Sequence, residues 1–142
     1  MTKELHTHSF VFNDIKLLIE QAKEQVAVTV NSTMSMLYWE VGNRVLVEVL
    51  KDKRAEYGKQ VIISLSEQLT KKYGNGWSDK QLRHCIRFAE VFSEKEIVYT
   101  VCRQLSWSHL RIIFFIEEPL KREFYIEMCK LEKWSVRTLR EK

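Results

Sequence analysis

The sequence predicts an all-α domain, and three observations lead to that prediction. The chain has only four glycines and one proline in 142 residues, too few turn-forming residues for an all-β protein. Apolar residues recur about every 3.6 positions through most of the chain, and no segment alternates with the two-residue period of a strand. Serines suited to helix capping precede several apolar segments. A chain of this length is sufficient for one such domain.

The first predicted element is a single helix of about ten turns, from Asn13 to about Leu50. Asn13 is a suitable N-cap, and Asp14 lies at the positive end of the helix dipole. The β-branched residues near Asn31 allow a kink, while Gly42 indicates close packing of another helix. The apolar or small residues of one face are Ile15, Ile19, Ala22, Val26, Val30, Thr33, Leu37, Val41 and Val45.

The second and third predicted helices are joined by a short glycine turn. Helix two spans about Lys59 to Lys72, and Gly74 closes it because glycine enters left-handed conformations without steric cost. Ser78 and Gln81 form a capping box for helix three, which runs to about Phe92. Two helices connected in this way predict a helix-turn-helix packed against the long first helix. The inward residues of helix three are Leu82, Cys85, Ile86 and Ala89.

The remaining elements are predicted from further helix starts. Ser93 with Glu96 predicts a short helix through Val101. Ser106 opens a helix with the apolar run 112–116, for which a buried strand is the alternative interpretation. Pro119, at the first helical position, starts the next helix, and Ser135 starts one more.

Three tryptophans begin related segments. Trp77 and Trp134 each begin the pattern W-S-x-x-x-L-R, and Trp107 begins a shortened version. We interpret the pattern as a repeated helix start, with tryptophan as a hydrophobic staple, serine as the cap and arginine about one turn in. Trp77 and Trp107 are therefore expected to be largely buried, and a base-stacking platform is the alternative.

Positive charge is concentrated in one segment of the chain. Residues 51–87 contain nine Lys and Arg against four acids, a net charge of +5, whereas the rest of the chain is −1. This asymmetry favours a basic face for a polyanion, with a solvated helix surface as the alternative. The predicted nucleic-acid-binding residues are Lys80, Arg83, His84 and Arg87 on helix three, with Lys71 and Lys72 beside them.

The sequence predicts neither a catalytic site nor a cofactor or metal site. It lacks a phosphate-binding G-x-x-x-x-G-K, a nucleophile elbow and an H-E-x-x-H motif. His6 and His8 have no ligand partner nearby in sequence, and His109 is expected to cap or pack. The three cysteines are expected to be reduced and packed as small hydrophobes.

Without an apolar signal-peptide core or membrane span, we expect the chain in the cytoplasm.

Ordered segments over nearly the whole chain also carry a family resemblance. These segments are Leu37–Gly42, Arg54–Ile62, Gly76–Ser78 with Leu82-Arg83, Gln104–His109 and Glu132–Arg137. Together they resemble the N-terminal domain of YhcG-like proteins. In this bacterial family a helical, winged-helix-like domain of unknown function precedes a PD-(D/E)XK nuclease-like domain. Relatives often carry arginine where this chain has Ile86.

The resemblance implies a DNA-binding domain that places a nuclease on double-stranded DNA. The metal-binding carboxylates and lysine would belong to the C-terminal domain, so no catalysis is expected here and the chain is expected to be a fragment or a shortened relative. The predicted divisions are a flexible N-terminus (1–12), a helical DNA-binding-like domain (13–134) and the start of a truncated helix (135–142). A protein-interaction or homodimerisation module built on the long first helix is the alternative function.

Overall fold

The computed structural model describes residues 2–48 and 55–142, with side chains described for residues 11–48 and 56–142. Regular structure in these residues is entirely helical, which confirms the all-α prediction. The helices are α1 (Thr2–Glu48), α2 (Ala55–Tyr73), α3 (Asp79–Val91), α4 (Lys95–Gln104), α5 (Trp107–Ile113), α6 (Pro119–Leu131) and α7 (Val136–Glu141).

Several helix boundaries differ from the sequence prediction. α1 begins at Thr2, so Asn13 lies inside the helix and does not cap it. α4 begins at Lys95 after the N-cap Glu94, which makes no side-chain capping hydrogen bond, so the predicted start at Ser93 was wrong. Pro119 begins α6 as predicted. The apolar run 112–116 ends α5 and continues into a turn, which excludes the strand interpretation.

α1 and α3 are in direct backbone contact at Gly42. A Cβ atom built on this glycine would overlap the Cys85 carbonyl group and would lie 2.8 Å from the Ile86 nitrogen. Only a residue without a side chain allows the two helices to approach so closely. The close packing predicted from Gly42 is therefore confirmed, and the site sets the crossing of the longest helix over α3.

Among the described side chains of α1, residues 11–48, only those from Ser32 onward contribute to the core. The buried ones are Ser32, Ser35, Trp39, Gly42 and Val45. Residues 11–31 are exposed throughout, including most of the predicted apolar face. The predicted face is thus exposed from Ile15 to Leu37, whereas Val41 packs against the core and Val45 is buried. The prediction was right only at the C-terminal end of this face.

The core consists of two adjoining clusters. The larger cluster is centred on Phe88, Leu110, Ile113 and Phe114, each fully buried. The smaller one joins α1, α2 and α3 through Val45, Ile62, Leu82 and Ile86. Of the residues predicted to face inward on α3, all four are buried.

The three cysteines are free and buried, which confirms their prediction as packed small hydrophobes. Burial raises the pKa of Cys85 and of Cys102 to about 12 and also raises the pKa of Cys129. Because the thiolate is the reactive form of cysteine, these thiols are inert in the folded protein near neutral pH.

The turn between α2 and α3 is held by hydrogen bonds from α2. Gly74 has φ 102° and donates its N–H to the Thr70 carbonyl oxygen at 2.9 Å. The hydroxyls of Ser66 and Thr70 both donate to the Trp77 carbonyl oxygen, at 2.8 and 3.3 Å. These bonds fix the path of the chain into α3, so the α2–turn–α3 unit is locally well determined.

The tryptophans differ in their burial. Trp39 is buried, and its Nε1–H donates to the Phe92 carbonyl oxygen at 2.7 Å. Trp77 and Trp107 are half-buried, with the Tyr38 ring against both at centroid distances of 5.8 and 4.6 Å. The prediction of largely buried Trp77 and Trp107 was therefore only partly right, although both pack against core clusters.

Candidate nucleic-acid interface

Three helices of the domain begin with the same six-residue unit, S-x-x-x-L-R. In each unit the serine side chain accepts a hydrogen bond from the backbone N–H three residues on: Ser78 from Gln81, Ser106 from His109 and Ser135 from Thr138. The leucines Leu82, Leu110 and Leu139 are all buried. The unit near Trp107 starts at Ser106, one residue before the tryptophan. It looked shortened in the sequence because it was aligned on Ser108 instead of the capping serine Ser106.

The arginines that end these units are Arg83, Arg111 and Arg140. A buried leucine fixes the helix rotation, and the next residue then projects about 100° away toward the surface. Two of the three arginines, Arg111 and Arg140, line one concavity between α3, α5 and α7. The unit therefore places a leucine in the core and an arginine at the domain surface.

This concavity, which we name the basic pocket, has a volume of about 270 Å³. None of its lining residues is acidic. They are Lys80, His84, Ser108, Arg111, Ile112, Phe115 and Arg140. Cationic and hydroxyl donors therefore share the pocket with two apolar side chains, Ile112 and the exposed Phe115.

The cations of the basic pocket form no ion pair with a residue whose side chain is described. Within residues 11–48 and 56–142, no carboxylate lies within ion-pair distance of Lys80, Arg111 or Arg140. Burial lowers the pKa of His84, and the positive charges of Arg111 and Lys80 lower it further. The pocket therefore combines positive potential with unused hydrogen-bond donors, which suits an anion such as phosphate.

The predicted site residues of α3 divide between two surfaces. Lys80 and His84 line the basic pocket, whereas Arg83 and Arg87 line an open groove against α2. Arg83 lies 3.8 Å from the Asp79 carboxylate, with both side chains exposed. Arg87 is held more firmly, because its Nε–H donates to the Phe114 carbonyl oxygen at 3.0 Å and its Nη1 lies 3.6 Å from Glu90. Arg87 thus connects α3 to the end of α5.

The remaining predicted cations lie away from the basic pocket. Lys71 and Lys72 are exposed in the last turn of α2, where the Lys72 ammonium lies 5.6 Å from the centre of the Tyr73 ring. Lys51, Lys53 and Arg54, which contribute to the charge excess of residues 51–87, lie outside the described residues. The structure therefore brings together Lys80 and His84 with Arg111 and Arg140, two residues that the sequence prediction omitted.

His109 connects two parts of the fold. Its Nε2 lies 2.7 Å from the Trp134 carbonyl oxygen, and its Nδ1 lies 2.6 Å from Ser106 Oγ. Since a carbonyl oxygen only accepts, Nε2 carries the proton and Nδ1 accepts from the serine hydroxyl. Both ring nitrogens are engaged, which confirms the predicted capping or packing role. The side chains of His6 and His8 lie outside the described residues.

The described part of the chain contains neither a metal-binding cluster nor a helix suited to span a membrane. Residues with described side chains contain no cluster of three His, Cys, Asp or Glu with the geometry of a metal site. None of the described helices combines the length and the apolar character that a membrane span requires.

Comparison with known proteins identifies the family. Residues 14–142 match the model of the DUF1016 N-terminal domain. The chain is also 29% identical, over 143 aligned positions, to "Putative nuclease YhcG" of Escherichia coli (strain K12). That alignment covers 88% of this chain but only 37% of the relative. No solved structure matches the chain. The chain belongs to the DUF1016 N-terminal domain family and is a YhcG-like N-terminal domain.

Proposed function

We propose that this domain binds double-stranded DNA and that the basic pocket holds a backbone phosphate. The observation that supports the proposal most directly is the convergence of Lys80, Arg111 and Arg140 in one concavity without a neutralising carboxylate in the described residues. Arginine donates two parallel hydrogen bonds to phosphate oxygens, and lysine adds a compact positive charge. His84 and Ser108 supply further donors at the same place.

The helix-turn-helix interpretation is part of this proposal. α3 follows α2 through a turn that Ser66 and Thr70 hold in place, so its N-terminal turn has a defined position. In helix-turn-helix proteins the second helix enters the major groove with its N-terminal residues against the bases. A phosphate held beside Lys80, near the start of α3, would place that helix start next to the duplex. Lys71, Lys72, Arg83 and Arg87 would then contact neighbouring phosphates.

The relationship to YhcG supports a targeting role for such binding. That relative is described as a nuclease, and this chain spans about a third of its length. We propose that the domain has no catalysis of its own and directs a nuclease-like domain located C-terminal to it in the full-length protein. The winged-helix-like arrangement expected for the family also belongs to this proposal.

The proposal is tested by duplex binding over a series of salt concentrations. Each neutralised phosphate releases counterions, so the logarithm of affinity should fall by about 0.9 per decade of salt for every phosphate contacted. We expect the phosphate in the basic pocket to contribute about 0.9 to this slope, and the phosphates contacted by Lys71, Lys72, Arg83 and Arg87 to add to it. Fluorescence anisotropy of a labelled duplex measures it. Absence of binding at low salt, or binding that does not change with salt, would reject the proposal and favour the protein-interaction alternative.

His84 makes the proposed binding dependent on pH. Its pKa lies below the ordinary value of 6.5 in the free domain, so it is mainly neutral at pH 7. A bound phosphate favours the protonated ring and raises that pKa, so DNA binding should take up a proton. Affinity should therefore increase as the pH falls from about 8 toward 6, by at most about tenfold per pH unit for one proton.

The control for this effect is His84→Asn, which retains a hydrogen-bonding side chain but cannot titrate in this range. At constant ionic strength the variant should lose most of the pH dependence. An unchanged pH profile would place His84 outside the interface. The measurement should stop near pH 6, because the free domain loses stability as the pH falls below the ordinary pKa of histidine. In that range the unfolded chain takes up the proton first.

A further inference from the structure

The N-terminal part of α1 extends from the domain as a bare helix with an apolar face. Every residue from 11 to 31 is exposed. Four large apolar residues expose between 50% and 66% of their surface: Phe12, Ile15, Ile19 and Val26. None of them is therefore packed against the core of this domain. Large apolar side chains in a row at a protein surface mark an interaction site. This face lies outside the basic pocket and is independent of the proposed DNA binding.

The exposed face has the heptad spacing of a coiled coil. Its residues follow one another at alternating steps of three and four positions, from Phe12 through Thr33, over three heptads. β-branched residues occupy three of its four a positions, as is common in two-stranded coils. The a positions are Phe12, Ile19, Val26 and Thr33, and the d positions are Ile15, Ala22 and Thr29.

The heptad face points away from the rest of the domain. At about 100° per residue, its mean direction lies roughly 150° from that of Ser32, Ser35, Trp39 and Gly42, through which α1 contacts its own core. From Phe12 to Val26 the face is therefore open to a second helix, and near its end Thr29 shares a concavity with Arg103 of α4. The exposed Leu37, on the same side, extends the apolar surface past the point where the domain begins.

The composition of this segment also requires a packing partner. Residues 26–30 include Val26, Val28, Thr29 and Val30, all β-branched, and such residues disfavour an isolated helix. Helices in proteins owe most of their stability to packing of an apolar face. A helix of this composition is stable in water when its heptad face is covered.

Charges beside the heptad face distinguish the two directions in which a second copy of α1 could pack on it. The e positions hold Lys16 and Lys23, both exposed. In an antiparallel pair of these helices, e positions face each other and Lys16 would oppose Lys23 of the second copy. In a parallel pair, Lys16 lies beside Val11 and Lys23 beside Leu18 of the second copy, where their aliphatic stems cover apolar surface. The charge pattern therefore disfavours the antiparallel pair and allows the parallel one.

We infer that α1 forms a parallel two-stranded coiled coil with a second copy of this chain through residues 12–33. The occupant of the face is thus an identical helix, and each partner supplies the same seam. The rest of each domain then lies on the outer side of the pair.

The oligomeric state of the 142-residue chain tests this inference. Sedimentation velocity should give twice the chain mass of 17.0 kDa at micromolar concentration. Ile19→Glu places two carboxylates in one a layer and should raise the dimer dissociation constant by at least about a hundredfold. Leu17→Glu is the matched control, because Leu17 is similarly exposed, at 57% against 50% for Ile19, but occupies an f position away from the seam. The control should remain a dimer.

The direction of the helices is tested by cross-linking of Ile15→Cys. In a parallel pair the two introduced thiols share one d layer and are within disulfide reach. In an antiparallel pair with Ile15 facing Val26, they would be about 16 Å apart. The three native thiols are buried and do not compete.

Each result decides the inference. A dimer that dissociates in Ile19→Glu but not in Leu17→Glu, with ready cross-linking of Ile15→Cys, supports it. A monomeric wild-type chain, or a dimer equally stable in both glutamate variants, overturns it. A dimer that does not cross-link through Ile15→Cys overturns the parallel arrangement. Cross-linking in the otherwise native chain still tests the seam if Ile19→Glu does not fold.

Discussion

Gly42→Ala should destabilise the domain by about 3 kcal/mol or more, and the expected result is loss of cooperative folding at moderate temperature. The added Cβ would overlap the Cys85 carbonyl group of α3. No side-chain rotation relieves this overlap, because the Cβ position is fixed by the α1 backbone and the carbonyl group belongs to the α3 backbone. α1 and α3 would have to separate, and the packing of Trp39, Val45 and Ile86 around the crossing would loosen with them.

Gly76→Ala provides a matched control for this prediction. A Cβ atom at Gly76 would meet nothing within 4 Å, and its φ is not in the left-handed region. The same chemical change should therefore move the free energy of unfolding by less than about 1 kcal/mol. Urea melts followed by tryptophan fluorescence compare the two variants. Equal, small effects would show that α1 and α3 do not cross in backbone contact at Gly42.

Local signals in the sequence were sufficient to predict much of the fold. The capping serines Ser78, Ser106 and Ser135 start helices as predicted, because an N-cap hydrogen bond depends only on residues three apart. The inward face of α3 was also right, since its four predicted residues are all buried. The start of α4 was wrong because the pairing of Ser93 with Glu96 has the spacing of a cap but competes with Glu94 for the boundary.

The buried face of α1 was not predictable from its own periodicity. The regular stripe from Ile15 to Val30 stays exposed, while the buried Ser32 and Ser35 are small polar residues that no hydrophobic pattern selects. Small residues such as these serines and Gly42 permit another helix to approach closely. Periodicity alone treats every apolar face of a helix as one that packs into the core of the same domain. In this helix the stripe lies outside the core, and a second copy of the chain is the partner that we propose for it.

The lining of the basic pocket could be predicted only in part, because it combines residues that are distant in sequence. Lys80 and His84 were selected from α3, but Arg111 and Arg140 belong to α5 and α7 and meet them only in the folded domain. The repeated S-x-x-x-L-R unit was the signal for both arginines. It was interpreted as a capping pattern alone, although the same spacing that buries each leucine also directs the following arginine to the surface.

The basic pocket gives the second prediction. Replacing Lys80, Arg111 and Arg140 together with alanine should lower duplex affinity by at least about a hundredfold at low salt, because each loses charged hydrogen bonds to phosphate. The slope of log affinity against log salt should decrease by about 0.9, the contribution of the one phosphate that the pocket holds. Lys80, Arg111 and Arg140 are exposed, so the melting transition should shift little.

The control variant removes the same net charge elsewhere. Arg44, Arg103 and Lys121 are exposed and line no part of the basic pocket, so their joint replacement with alanine should reduce affinity far less. Arg87→Ala is a further contrast. Loss of its bond to the Phe114 carbonyl oxygen should cost about 1 to 2 kcal/mol of stability, with a smaller change in the salt slope.

Three outcomes of this experiment are distinct. Weak binding in the pocket variant alone would locate the interface at the basic pocket. Equal weakening in both triple variants would mean that net charge, and not the pocket, determines binding. A folded pocket variant that binds duplex as tightly as the wild type at low salt would refute the phosphate site. The interaction or dimerisation module built on α1 would then replace DNA binding as the proposed function of the domain.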